Sequence, residues 1–191
     1  MVATEHKKPV RQRLLDAASR LFYAYGVTAT GIDAITRQAG VAKMSLYNNF
    51  SSKEDLILVY LEHRHAELLK FYHQRLNQAE TTQARILAIF EAYIDHAGID
   101  YEGGFRGCGL LNAAAEFPSG SPGRDRVCEH KEQIQQLIQE QLENAGYGSS
   151  AQLASHLALL LEGAMSRAGL EYDTALLVQA RDIATVLLEA Q

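Results

Sequence analysis

Residues 30–53 read TGIDAITRQAGVAKMSLYNNFSSK, with the spacing of two short helices joined by a tight turn. Gly40 stands at the turn, where the chain must take a left-handed backbone that a Cβ would obstruct. Ile35, Ala39, Val41 and Leu46 surround it, and every position where two crossing helices would touch is therefore small or aliphatic. Phe50 closes this small core against the helix that precedes it. The expected helices cover residues 32–39 and 42–49.

The pattern extends in both directions. Upstream, Leu14, Ala18, Leu21, Phe22 and Tyr25 recur at spacings of three and four, one face of a helix over 10–25. Gly26 follows and can end it in a left-handed conformation. Thr30 with Asp33 three residues on reads as a capping box that opens the next helix, and Ser51 with Glu54 as a second one, opening a long helix to about residue 76. Further helical stretches fall near 82–98, 107–117, 124–146, 150–170 and 174–190. They are separated by turn-type clusters at Gly103-Gly104, at 118–123 and at 146–150. The three prolines, Pro9, Pro118 and Pro122, lie outside these stretches, and no alternating apolar–polar run signals a hairpin. The expectation is an all-α chain of about nine helices. A helix-turn-helix domain would occupy 1–52 and a helical ligand-binding and dimerisation domain 53–191.

On the second helix of the turn, Lys43, Met44, Ser45, Tyr47, Asn48 and Asn49 face away from the buried positions. An ordinary solvated helix face would carry several Glu and Lys. This one offers donors, acceptors and a thin apolar contact with one charge, which suits base edges in a major groove. Lys53, in the first turn of the next helix, stands where backbone amides and an ammonium can hold a phosphate together. Taken singly, Tyr47 and Phe50 fit a bundle core equally well; their joint spacing is what favours DNA.

Composition agrees. The 191 residues are 47% hydrophobic and 21% charged, typical of a globular chain. Residues 1–55 hold eight Lys/Arg against five Asp/Glu, whereas the remainder holds ten against eighteen. A basic head on an acidic body points to an anionic partner at the N-terminal end alone. No stretch reads as a membrane helix or a cleavable leader, so the expected location is the cytoplasm. Two cysteines are too few for a disulfide framework.

Residues 10–60 resemble the DNA-binding domain of the TetR family of repressors. The resemblance rests on Tyr25-Gly26, Ile35-Thr36, Ala39-Gly40-Val41, Leu46-Tyr47-Asn48-Asn49-Phe50 and Ser52-Lys53-Glu54-Asp55-Leu56. It implies DNA contacts from Thr30, Lys43, Ser45, Tyr47, Asn48 and Lys53, with Tyr47 and Lys53 on phosphates. Two positions depart from the family pattern. Ala42 replaces a capping Ser or Thr, and Thr36 replaces a small Ala, adding a hydroxyl that needs a partner.

Past Leu61 the resemblance is looser. Residues 106–118, RGCGLLNAAAEFP, look like the sixth helix of one branch of that family. In that scheme the middle helices enclose a small-molecule effector, and the last two pair with their copies in a homodimer. The residues themselves agree with the dimer. Leu157, Leu161, Ala164 and Ala168 line one face of one segment, and Leu176, Ala180, Ile183 and Leu187 line the other. Two neighbouring helices this apolar either share a partner copy or lie inside one protomer. Candidate pocket residues are Phe90, Tyr93, Ile94, His96, Tyr101, Phe105, Cys108, Leu111, Asn112, Glu116 and Met165, with Glu116 and His96 as polar anchors. Aromatics at helical spacing equally suit a plain core.

The reading is a ligand-responsive repressor: a dimer on a palindromic double-stranded operator, its two recognition helices about one DNA turn (~34–36 Å) apart. An effector that prefers the other spacing would release it. Activation in place of repression depends on where the operator lies. Cys108, beside Arg106 near a helix start, leaves open a redox or electrophile sensor on the same scaffold, or a small cysteine packed like alanine. No phosphate loop, HExxH, nucleophile elbow or metal-ligand spacing occurs, so neither catalysis nor a cofactor is expected. Cys128 and His130 point in different directions on one helix.

Overall fold

The computed structural model describes residues 8–99 and 103–190. Among them nine helices occur: α1 Val10–Tyr25, α2 Ile32–Ala39, α3 Lys43–Tyr47, α4 Lys53–Gln78, α5 Thr82–Ala97, α6 Gly109–Ala115, α7 Pro122–Asn144, α8 Ser150–Glu171 and α9 Ala175–Glu189. The all-α expectation holds, and no described helix is long and apolar enough to cross a membrane. Tyr101, named above as a pocket candidate, lies outside the described residues.

The helix ends follow local chemistry, not always at the residue expected. α2 begins after Gly31 with no side-chain cap, because the cap position falls on Gly31, one residue past the expected Thr30, whose hydroxyl donates instead to the Gly26 carbonyl (2.7 Å). At α4 the cap is Ser52, one residue later than expected. Its Oγ accepts from the Asp55 amide (3.0 Å), and the Asp55 carboxylate accepts from the Ser51 amide (2.9 Å). Pro122 opens α7 where the loop was expected to continue. At a first helical position a missing N–H costs nothing and the fixed φ is already helical.

The described chain divides into two compact units, and the division does not fall at 52/53. One unit takes in the chain up to Arg64 together with Gly109–Arg126, so it holds α1, α2, α3, α6 and the first part of α4. Its core is Leu14, Ala18, Phe22, Ile35, Leu46, Phe50 and Tyr60, all buried. The other unit holds the rest of α4, α5, α8, α9 and nearly all of α7. There α9 packs on α5 and α8 over Phe90, Tyr93, Leu157, Leu161, Met165, Leu177, Ala180 and Leu188. A Cβ on Gly169 of α8 would stand 2.5 Å from the Gly107 backbone, so these two stretches of main chain meet as only glycine permits.

Candidate nucleic-acid interface

The turn between α2 and α3 is built as the sequence implies. Gly40 takes φ 64°, ψ 40°, and its amide closes back onto Arg37 and Thr36 carbonyls. Leu46 is fully buried beneath it and Phe50 nearly so, which fixes which side of α3 can face outward. The Thr36 hydroxyl is satisfied by the Ile32 carbonyl one turn back (3.1 Å). Ala42 supplies no side-chain cap to α3. Instead Asn49 donates to the Ser45 carbonyl (2.7 Å) at the other end of the short helix.

One residue the sequence reading missed secures this turn. Arg13 of α1 donates to the carbonyls of Ala39 (2.6 Å) and Gly40 (2.9 Å). A guanidinium there satisfies carbonyls left over at the end of α2 and opposes the negative end of its dipole. An Arg on the otherwise amphipathic first helix was the only available signal.

The outward face of α3 presents Met44, 67% exposed, and Tyr47, 47% exposed, beside exposed Lys43 and Asn48 and half-buried Ser45. Large apolar surface left in water on a five-residue helix, next to fully buried Leu46, is unusual unless something covers it. Lys43 pairs with Asp33 of α2 (2.9 Å), and that bond raises its ammonium above the ordinary lysine value. Both partners are solvated, so the pair is held only loosely.

Thr30 does not belong to this face. It is 4% exposed and its hydroxyl is spent on the Gly26 and Leu21 carbonyls, so it holds the α1–α2 turn instead of a base. Lys53 is half-buried and donates to the Thr28 carbonyl (3.3 Å), a long bond that a phosphate can replace.

Glu116, expected as an effector anchor, is placed otherwise. It lies in the same unit as the turn, where its carboxylate accepts from the amides of Val27 (3.0 Å) and Thr28 (2.7 Å). Burial alone would push this carboxyl up. The Thr28 and Val27 bonds, with Lys53 nearby, outweigh it and hold the group below its ordinary value. Its two amide bonds tie the end of α6 to the α1–α2 turn. Leu111 and Asn112 are half-buried and belong to this unit as well.

The remaining pocket candidates lie in the second unit. Phe90, Tyr93 and Met165 are buried core, whereas Ile94, His96, Phe105 and Cys108 are half-buried, with the His96 ring tilted against Phe71 (5.9 Å between centroids). Tyr93 and Cys108 meet two residues that the sequence reading did not single out. The Tyr93 hydroxyl donates to Glu162 Oε1 (3.0 Å), Lys131 Nζ donates to the same oxygen (2.7 Å), and Cys108 Sγ lies 3.4 Å from Lys131 Nζ. Burial drives the Tyr93 phenol up, with Glu162 adding to it. Burial works against the Lys131 ammonium, but Cys108, Tyr93 and Glu162 together raise it well above normal. A charge alone in the apolar run from 150 to 166 was the legible clue to Glu162. Half-buried within this cluster, Cys108 fits a packing role better than an accessible redox thiol.

The expected dimer residues need correction. Leu157, Leu161, Ala168 and Ala180 are buried in the protomer's own core, and Ala164, Leu176 and Leu187 are half-buried against it, so a second copy cannot reach most of them. Ile183 alone of that set is exposed. The exposed apolar side chains are instead Leu159 (70%), Leu170 (79%) and Tyr172 at the end of α8, with Ile183 and Val186 on α9. A Cβ at Gly163, one turn after Leu159, would meet nothing.

Fold and turn geometry define a helix-turn-helix protein of the kind that carries a separate all-helical domain. The profile of bacterial regulatory proteins of the tetR family matches residues 14–60, and that of the tetracyclin repressor-like C-terminal domain matches residues 82–184. The chain belongs to the TetR family. A solved structure of SCO4454, a TetR-family transcriptional regulator from Streptomyces coelicolor, is similar at TM-score 0.85 and 32% identity, over 95% of this chain and 89% of that one. Reduced NemR from E. coli is similar at TM-score 0.78 and 25% identity, over 92% and 94%. The transcriptional activator FasR of Mycolicibacterium smegmatis is 38% identical over 93 residues, 49% of this chain and 42% of its own length. TtgW of Pseudomonas putida, an HTH-type regulator, is 32% identical over 63% of its length. The chain thus matches less than two thirds of either curated relative.

Proposed function

We infer that the chain is a DNA-binding transcription regulator that works as a dimer on a palindromic operator and changes its affinity when a small molecule binds its second unit. The observation that carries this reading is the outward face of α3. Met44 and Tyr47 stand in water between Lys43 and Asn48, on a helix anchored from beneath by Leu46 and preceded by a turn that Arg13 holds. Tyr47 and Lys53 take phosphates. Lys43, Met44, Ser45 and Asn48 read base edges, where Met44 suits a thymine methyl and Asn48 or Ser45 can donate and accept.

Dimerisation supports this, since one short helix reads only a few base pairs and two read a half-site each. The exposed stripe of Leu159, Gly163 and Leu170 on α8, beside Ile183 and Val186 on α9, is the face offered to a second copy. The same side chains would be a solubility liability in a lone protomer. The effector would enter the second unit near Tyr93, Phe105, Cys108 and Met165, where Lys131 and Glu162 supply the polar groups. Repression follows when the operator overlaps a promoter; FasR carries the name of an activator, and the same grip on DNA serves either sign.

The test begins with an operator selected from genomic fragments, used in gel-shift titrations at several salt concentrations. A steep fall in affinity with salt is expected, with a shallower slope for Lys53→Ala. Tyr47→Ala should bind about 5–30-fold more weakly while remaining folded, the consequence of about 1–2 kcal/mol lost at one contact. Salt-insensitive binding, or wild-type affinity in both variants, would sink this reading.

A further inference from the structure

Within the first unit lies a cavity of about 430 Å³ that the reading above leaves without a task. The end of the α1–α2 turn supplies Val27, α4 supplies Ile57 and Leu58, and the stretch between α6 and α7 supplies Phe117, Pro118 and Pro122. Its volume falls within the roughly 300–1,000 Å³ of small-molecule sites and is many times that of one water, about 30 Å³. The cavity opens to solvent, with Thr28, Glu54, Pro118 and Pro122 exposed in its lining and Val27 buried. One wall is specially built, because a Cβ on Gly123 would stand 2.7 Å from the Phe117 ring. Glycine at 123 is what lets that ring lie in the wall.

The polar lining limits what can enter. Lys53 and Glu54, the two charged residues of the lining, carry opposite charges, so the lining itself has no net charge to favour an ion. The Lys53 ammonium already faces the Thr28 carbonyl, and the neighbouring backbone amides of Val27 and Thr28 already donate to Glu116. An anionic guest would have to break those bonds, whereas a neutral one leaves them intact. The aromatic wall and the two prolines favour a flat apolar body.

The geometry points to a second ligand site, in the unit that carries the helix-turn-helix, for an uncharged aromatic molecule. Its position links it to DNA. A guest gives the methylenes of Lys53 an apolar surface to lie on, which keeps that side chain folded toward Thr28 and away from a phosphate. Occupancy therefore weakens operator binding without any ligand in the second unit. This last step rests on the DNA-binding reading; occupancy itself does not.

Methyl-labelled (Ile, Leu, Val) full-length protein titrated with 2-naphthol, and separately with 2-naphthoate, tests occupancy by NMR without DNA. The naphthol should shift the Val27, Ile57 and Leu58 methyls saturably, and the naphthoate should bind about tenfold more weakly or worse. Leu58→Phe and Ile57→Phe, each verified by its melting curve, should lose the naphthol shifts at the remaining methyls. Shifts confined to methyls of the second unit such as Leu157 and Leu161, equal binding of the naphthoate, or shifts that survive both substitutions would overturn the assignment. In operator titrations 2-naphthol should weaken wild-type binding about three- to tenfold, the scale of one phosphate contact, and leave Leu58→Phe unmoved. NMR occupancy with unchanged operator affinity would remove the regulatory role and keep the site.

Discussion

Gly26 and Glu116 should be coupled, and the coupling can be measured. Gly26 has φ 90° and ψ 159°, a region in which a residue with a Cβ is strained by about 1–3 kcal/mol. The same Cβ would stand 2.5 Å from Glu116 Oε1, so the carboxylate must swing out and release the Val27 and Thr28 amides. Bonds to a charged acceptor contribute about 1.5–3 kcal/mol each when buried. Glu116 is exposed, and solvent screening reduces the pair to about 1 kcal/mol together. Gly26→Ala should therefore cost about 2–4 kcal/mol and Glu116→Ala about 1 kcal/mol. The double variant should cost little more than Gly26→Ala, because the bonds that Glu116 supplies are already gone, leaving an interaction energy near 1 kcal/mol. Urea unfolding of the four proteins at one protein concentration, as the proposed dimer would demand, gives the cycle. Additivity within about 0.3–0.5 kcal/mol would show that Glu116 does not clamp this turn.

The acid limb of stability carries the same signature. The folded state holds the Glu116 carboxyl below its ordinary value, so its contribution is complete above the usual carboxylate range and disappears as pH falls through the lowered one. The stability gap between wild type and Glu116→Gln should thus close on acidification; a gap that widens would contradict the assignment. Leu159→Glu or Val186→Glu should yield monomers in sedimentation equilibrium with little change in helicity, whereas Leu157→Ala should cost about 2–5 kcal/mol as a core truncation. Retention of the dimer by both exposed-face variants would place the interface elsewhere. Lys131→Met should cost about 2 kcal/mol, somewhat less than the ~3–5 of a fully dry pair, because Glu162 is left without its cation. Cys108→Ser should stay within about 1 kcal/mol of wild type by thermal melting and leave any effector response unaltered.

The features legible from residue order are local and periodic. The helices of the N-terminal unit, the left-handed Gly40, the buried Leu46 and Phe50, and the outward Met44 and Tyr47 all follow from spacing over a few residues, where helical geometry dictates which side chains share a face. Which apolar face of α8 and α9 turns inward depends on how the helices pack together. Leu157 and Leu159 are equally hydrophobic, and one is buried while the other is 70% exposed because α9 packs on one side of the helix, over the core that Leu157 shares with Phe90 and Tyr93. The same holds for contacts between distant residues. Glu116 meets Val27 across 89 positions, and Thr30 turns its hydroxyl back to Gly26 because the chain folds there. Hydrophobic burial selects among faces collectively, and a hydrogen bond selects its partner only after the fold has brought the two groups together.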